Sequence, residues 1–117
     1  MVVLVVDDHD DAREVMRALL EIEGHQVVEA TNGREAVTIA TNVQLDLILM
    51  DFAMPIMDGL AATRLLRADP RTSSIRILAI TAHGDDAGFR AAALRSGCDD
   101  CYAKPLNFAL LQLMLGG

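Results

Sequence analysis

Four places in the chain carry side chains that suggest chemistry. The acidic pair Asp7-Asp8 follows the apolar run Val2-Val-Leu-Val-Val6, and Asp51 follows Leu47-Ile-Leu-Met50. Thr81 closes the run that ends in Ile80, and Lys104 stands directly before Pro105. Carboxylates brought within a few ångströms of one another repel, and each raises the other's pKa unless a cation compensates. A donor set made of carboxylate oxygens favours a hard ion, Mg²⁺ in a cell, which keeps several waters and bridges readily to phosphoryl oxygens. Lys104 adds a mobile point charge and Thr81 a hydroxyl donor, both suited to phosphoryl oxygens rather than to a second cation. The residue types therefore spell Mg²⁺ plus phosphate, provided that the fold brings them together.

The periodicity supplies such a fold. Val2–Val6 is continuously β-branched and aliphatic, the pattern of a strand buried on both faces of a parallel sheet. From Ala12 the apolar residues fall at Val15, Met16, Leu19 and Leu20, a helical stripe with Asp10 and Asp11 as capping candidates and Gly24 as its stop. The alternation continues with strands over 26–30, 45–50, 75–80 and 100–103 and helices over 34–40, 60–67, 86–95 and 108–115. Five strands alternating with five helices predict an α/β fold of the flavodoxin-like kind, a doubly wound five-stranded parallel sheet. In such a sheet the loops leaving the carboxyl ends of the strands gather at one edge, which is where Asp7, Asp8, Asp51, Thr81 and Lys104 all fall. Asp99-Asp100 precedes a strand, so it belongs to the opposite edge and reads as turn chemistry. Cys98-Asp-Asp-Cys101 spells a C-x-x-C, but there is no second cysteine pair, and His9, His25 and His83 lack ligand spacing. Two small core cysteines are the expected reading.

Composition narrows the function further. The 117 residues suit one domain over 1–117, and 52% hydrophobic against 23% charged residues allow a packed core. Ten basic against seventeen acidic residues give a net charge of −7, which repels phosphate backbones and anionic lipid and argues against direct nucleic-acid binding. Apolar runs such as Leu47–Met50 are far shorter than the ~20 residues a spanning helix needs. With no basic leader ahead of the first strand, a cytoplasmic location without membrane insertion is expected.

The order Asp7-Asp8, then Asp51-Phe-Ala-Met-Pro-Ile-Met-Asp58-Gly59, then Thr81-Ala82, then Lys104-Pro105 resembles the receiver domain of two-component response regulators over essentially the whole chain. The resemblance implies that Asp51 is the phospho-acceptor, served by a sensor histidine kinase or a histidine phosphotransfer protein. It implies Asp8 and Asp51 as direct Mg²⁺ ligands, Asp7 acting through water, and the backbone carbonyl of Ala53 as a further ligand. Thr81 and Lys104 hold the transferred phosphoryl in this reading, and the Lys104–Pro105 peptide is cis. The resemblance further implies a signalling acceptor that assists its own phosphorylation and dephosphorylation rather than an enzyme. The expectation is a single-domain regulator or a receiver cut from a larger protein such as a hybrid histidine kinase, with no output domain in this chain.

Two competing classes share part of this residue set. A phosphatase of the haloacid dehalogenase type also uses an Asp after a hydrophobic strand, but it needs a second Asp two residues later, where this chain has Ala53, and its acidic pair comes late rather than first. A degenerate receiver that only binds partners is opposed by the presence of every phosphorylation residue. One departure from the receiver pattern concerns the switch residue, an aromatic three positions before the lysine. Cys101 holds that position and Tyr102 is one residue out of phase, so its side chain points to the other face of the strand. Ala53 and His83 stand two residues after Asp51 and Thr81, positions that bear on phosphoryl lifetime in this family. The last helix carries Leu106, Phe108, Leu110, Leu111, Leu113, Met114 and Leu115, more apolar surface than one buried stripe needs. A homodimer through helix 4, strand 5 and helix 5 is the corresponding expectation.

Overall fold

The computed structural model describes residues 1–52, 58–82, 86–104 and 108–115. Its elements run β1 (Val2–Val6), α1 (Asp10–Ile22), β2 (Gln26–Ala30), α2 (Gly33–Asn42), β3 (Leu47–Asp51), α3 (Gly59–Ala68), β4 (Arg76–Thr81), α4 (Ala87–Ser96), β5 (Asp100–Ala103) and α5 (Phe108–Met114). The strands form one sheet in the order β2-β1-β3-β4-β5, every pairing parallel. This is the doubly wound arrangement that the alternation predicts.

Side chains alternate across each strand, so the sheet builds two cores. On one face Leu4, Val6, Ile48, Met50, Ile77, Ala79 and Cys101 meet α2, α3 and α4, whose contact residues include Ala36, Ala40, Ala62, Leu66 and Ala93. On the other, Val3, Val5, Leu47, Leu49, Leu78 and Ile80 meet Leu20 of α1 and Leu111 of α5. The central strands β1, β3 and β4 are therefore apolar on both faces, while edge strand β2 begins with an exposed Gln26. Of the apolar last helix, Leu111 is buried and Leu113 is 73% exposed. Leu106 and the side chains of Phe108, Leu110 and Met114 lie outside the described residues.

Helix starts follow local hydrogen bonding. Asn32, Asp58 and Asp86 each accept a backbone N–H three residues on and so cap α2, α3 and α4. At α1 the structure departs from the expected Asp10 or Asp11 cap. The cap residue is His9, with no side-chain cap bond, and both acids lie inside the first turn, where they still complement the positive end of the helix dipole. The third strand also shifts, running to Asp51 instead of ending at Met50. It starts at Leu47 rather than 45, with Asp46 just ahead of it exchanging two bonds with Val2, its N–H donating to Val2 O at 2.9 Å and its carboxylate accepting the Val2 N–H at 2.7 Å.

The sheet edge opposite the carboxylates is held by Arg67. Its guanidinium donates to Gly97 O at 2.8 Å, Ile75 O at 2.6 Å, Ser73 O at 2.9 Å and Asp99 Oδ2 at 2.9 Å. Asp99 Oδ2 also accepts the Ile77 N–H at 2.8 Å, so this acid ties the starts of β4 and β5. Gly97 ends α4 at φ +117°, and a Cβ there would lie 2.5 Å from Arg67 Cγ. Gly24, at φ +88°, opens onto free space. Left-handed backbone costs a non-glycine residue about 1–2 kcal/mol at either position. Gly97→Ala must in addition displace the clamp, so it is expected to lose about 1 kcal/mol more than Gly24→Ala. Chemical denaturation of the two variants checks this, and equal losses would contradict the role given to Arg67.

Candidate functional site

The chain winds from β1 outward to β2 and then crosses back to β3, so the topological switch of the sheet lies between β1 and β3. Asp7 follows β1, its N–H still pairing with Ala30 O at 3.1 Å, and Asp51 is the last residue of β3. Both are buried, at 6% and 4% exposure. Thr81 closes β4 fully buried, and Lys104 follows β5 with its N–H donating to Thr81 O at 2.9 Å. The ladder thus extends to the edge and delivers Asp7, Asp51, Thr81 and Lys104 there.

The ammonium of Lys104 bridges two carboxylates, 2.8 Å from Asp7 Oδ2 and 3.0 Å from Asp51 Oδ2. Asp7 Oδ1 accepts the His9 backbone N–H at 2.9 Å. Asp8 is held differently: its Oδ1 is shielded from solvent and has no hydrogen-bond partner among the described residues. One donor atom from each of Asp7, Asp8, His9 and Asp51 lies within 4.8 Å of all the others. Ligands about 2.0–2.6 Å from a common divalent ion stand about that far apart.

The charges are strongly coupled. Burial pushes Asp7 up, but the hydrogen bond from Lys104, those from His9 and the lysine's charge outweigh it and hold the carboxyl below its ordinary value. Burial likewise pulls Lys104 down, and its hydrogen bonds to Asp7 and Asp51 more than reverse this. Both groups are therefore charged at neutral pH. One ammonium against Asp7, Asp8 and Asp51 leaves a negative excess that a single divalent cation neutralises. Behind the polar edge a cleft of about 300 Å³ runs under α1, walled by Val5, Val15, Met16, Leu49 and Ile80. These walls keep the local dielectric low and the ionic interactions strong.

Three residues of the site escaped the sequence reading. Arg13, one turn into α1, donates to Asp7 O at 2.9 Å and to Glu29 Oε1 at 3.1 Å, tying the acidic loop to β2. His9 stands against both Asp7 and Asp8, and its adjacency to the acidic pair was the available signal. Phe52, next in sequence to Asp51, is buried in the α2–α4 core and lies edge-on to Phe89, with ring centroids 6.2 Å apart. A Cβ on Gly59 would enter the Phe52 ring, which is why the Asp58-Gly59 turn needs a glycine. Ala53, His83 and Pro105 lie outside the described residues, and with them the expected carbonyl ligand, the lifetime position and the cis peptide.

Cys101 pairs with Ala79 and is 1% exposed in the α2–α4 core, whereas Tyr102 packs with the α1–α5 core. The one-residue offset thus puts the aromatic on the face away from Thr81, which lies two residues after Ala79 and so shares its face of β4. Both cysteines are free. Burial pushes the Cys98 thiol up to about 11, and Cys101 also rises through burial. Buried and free, the two thiols sit in the α2–α4 core as small apolar side chains.

Comparison with known proteins agrees with the geometry. A family model described as response regulator receiver domain matches residues 3–115. PilH of Pseudomonas aeruginosa is 35% identical over 105 residues, 90% of this chain and 86% of PilH. A cyclic di-GMP phosphodiesterase of Thermotoga maritima is 36% identical over 98% of this chain, which spans only 30% of that protein. The receiver domain of a sensor histidine kinase from Pseudomonas aeruginosa, with a magnesium ion coordinated in its active-site cleft, superposes at a TM-score of 0.90. It is 36% identical, over 97% of this chain and 93% of that one. A match running nearly end to end, on a sheet that gathers its acids and lysine at one edge, shows that the chain belongs to the response regulator receiver domains of two-component signalling.

Proposed function

We propose that Asp51 accepts a phosphoryl group from the phosphohistidine of a sensor histidine kinase or a histidine phosphotransfer protein, in a Mg²⁺-dependent transfer within the cytoplasm. The observation that carries this is the division of labour among the carboxylates. Lys104 holds Asp7 and Asp51, while Asp8 keeps a buried oxygen without a hydrogen-bond partner among the described residues. That oxygen fits a direct metal ligand, and Asp7, already engaged by Lys104 and His9, fits contact through water. The ligand set is then Asp8, Asp51 and the carbonyl of Ala53, with Asp7 in the outer sphere. When bound, Mg²⁺ supplies positive charge to the oxygens of the transferring phosphoryl.

The chain's own residues do the rest. Asp51 attacks as a carboxylate oxygen, which has no proton to lose, so no general base is required. One of its oxygens forms a bond to phosphorus as the phosphorus–nitrogen bond of the donor breaks. Lys104 exchanges its contact with Asp51 for one to a phosphoryl oxygen, and the Thr81 hydroxyl donates to another. Such a domain is an acceptor that assists its own phosphorylation and dephosphorylation. No helix among the described residues is long and apolar enough to cross a membrane. Because Thr81 shares its face with the small Cys101, movement of the threonine toward the phosphoryl displaces no large ring. The resulting change on α4, β5 and α5 is small, and a homodimer through that face is weakly driven.

Incubation with acetyl phosphate followed by intact-mass measurement tests the proposal. One added phosphoryl is expected with Mg²⁺ and none with a chelator. Equal labelling in both would contradict it.

A further inference from the structure

The ring of His9 enters the acidic site from the solvent side. Its backbone is fixed at both ends, the N–H donating to Asp7 Oδ1 at 2.9 Å and the carbonyl accepting the Arg13 N–H at 3.0 Å. This places Nδ1 3.2 Å from Asp7 Oδ1 and 3.2 Å from Asp8 Oδ1, while the side chain stays 69% exposed. The nitrogen therefore stands beside the one buried carboxylate oxygen that lacks a hydrogen-bond partner among the described residues. Asp7, Asp8 and Asp51 surround the same point, each with a donor atom within 4.8 Å of a ring nitrogen of His9.

Mg²⁺ prefers oxygen and keeps its waters, whereas imidazole nitrogen suits Zn²⁺, Ni²⁺ and related first-row ions. We infer that His9 is a metal ligand that gives this site a selective affinity for imidazole-binding first-row divalent ions. The inference rests on reading Asp7, Asp8 and Asp51 as a cation site. The ring binds through Nδ1 as the neutral tautomer, with its proton on Nε2, and needs only a small turn because Nδ1 already faces the carboxylates. A first-row ion then competes with Mg²⁺ for the same acids, so the identity of the divalent cation becomes a second input to the domain.

A competing nitrogen site must be removed before the test. The Met1 nitrogen lies 3.1 Å from His25 Nδ1, just ahead of β2, and this pair of nitrogens is the control. Zn²⁺ and Mg²⁺ are therefore titrated by calorimetry into the His25→Ala chain with and without His9→Ala. Losing a direct ligand is expected to lower the ratio of Zn²⁺ to Mg²⁺ affinity by at least about tenfold. In ¹⁵N spectra of the imidazoles, the Nδ1 signal of His9 is expected to shift with Zn²⁺, and Asp8→Ala to abolish the shift. An unchanged affinity ratio, or a stationary Nδ1 signal, would overturn the inference. If Mg²⁺ left the backbone signals of Asp7, Asp8 and Asp51 unmoved while Zn²⁺ shifted Nδ1, the carboxylate reading would fail and the His9 assignment would stand.

Discussion

Asp51→Asn is expected to abolish phosphoryl addition, lowering the rate with acetyl phosphate by more than about a thousandfold. The amide has the shape of the carboxylate but lacks its nucleophilic electron density. Its carbonyl still accepts a hydrogen bond from Lys104, and burial at 4% exposure makes the loss of a charge tolerable to the fold. The variant should therefore melt cooperatively, close to the parent, while remaining unlabelled in intact-mass spectra. Labelling at the parent rate would remove Asp51 from the site.

Lys104→Met is expected to move two properties in opposite directions. The ammonium sits 2.8 Å from Asp7 and 3.0 Å from Asp51, where its charge opposes any cation entering among the acids. Removing a unit charge at such range should tighten Mg²⁺ binding by at least about tenfold, or about 1.4 kcal/mol. The same change deletes a donor aimed at the transferring phosphoryl, which should slow labelling by about 10²–10³-fold. General misfolding would lower both quantities, so the opposite signs identify the role. Mg²⁺ titration followed by NMR and labelling rates from mass spectra provide the measurement. Weaker Mg²⁺ binding together with normal labelling would contradict the account.

The framework was legible because its signals are backbone signals. Strands β1, β3 and β4 are apolar on both faces, so their runs in the sequence are uninterrupted and their carboxyl ends mark themselves with Asp7, Asp51 and Thr81. A parallel sheet with short crossovers does the convergence, which explains how residues 97 positions apart, Asp7 and Lys104, come into contact. The start of α1 was misjudged because aspartates serve equally as caps and as first-turn residues. Here the His9 amide, not that of a helical residue, takes the Asp7 oxygen.

What stayed hidden depends on side-chain direction. Nothing in the order Asp7-Asp8 says that Lys104 will hold the first acid while the buried Oδ1 of the second lies 3.2 Å from the His9 ring. Arg13 reaches the Asp7 carbonyl only because α1 turns its guanidinium back over the loop, beside Glu29 of β2. The fit of Gly59 against the Phe52 ring is likewise a matter of tertiary contact. The Cys101–Tyr102 offset was readable, since strand alternation alone separates the two residues onto the α2–α4 and α1–α5 faces.

The central claim, that Asp51 is the acceptor, is tested most directly by locating the phosphoryl group on the unmodified chain. After labelling with acetyl phosphate and Mg²⁺, borohydride reduces an acyl phosphate to the corresponding alcohol, which marks the acceptor permanently for peptide sequencing by mass spectrometry. The account predicts homoserine at position 51 and unaltered Asp7 and Asp8. Reduction at Asp8 with Asp51 intact, or a phosphoryl group carried by His9, would contradict it.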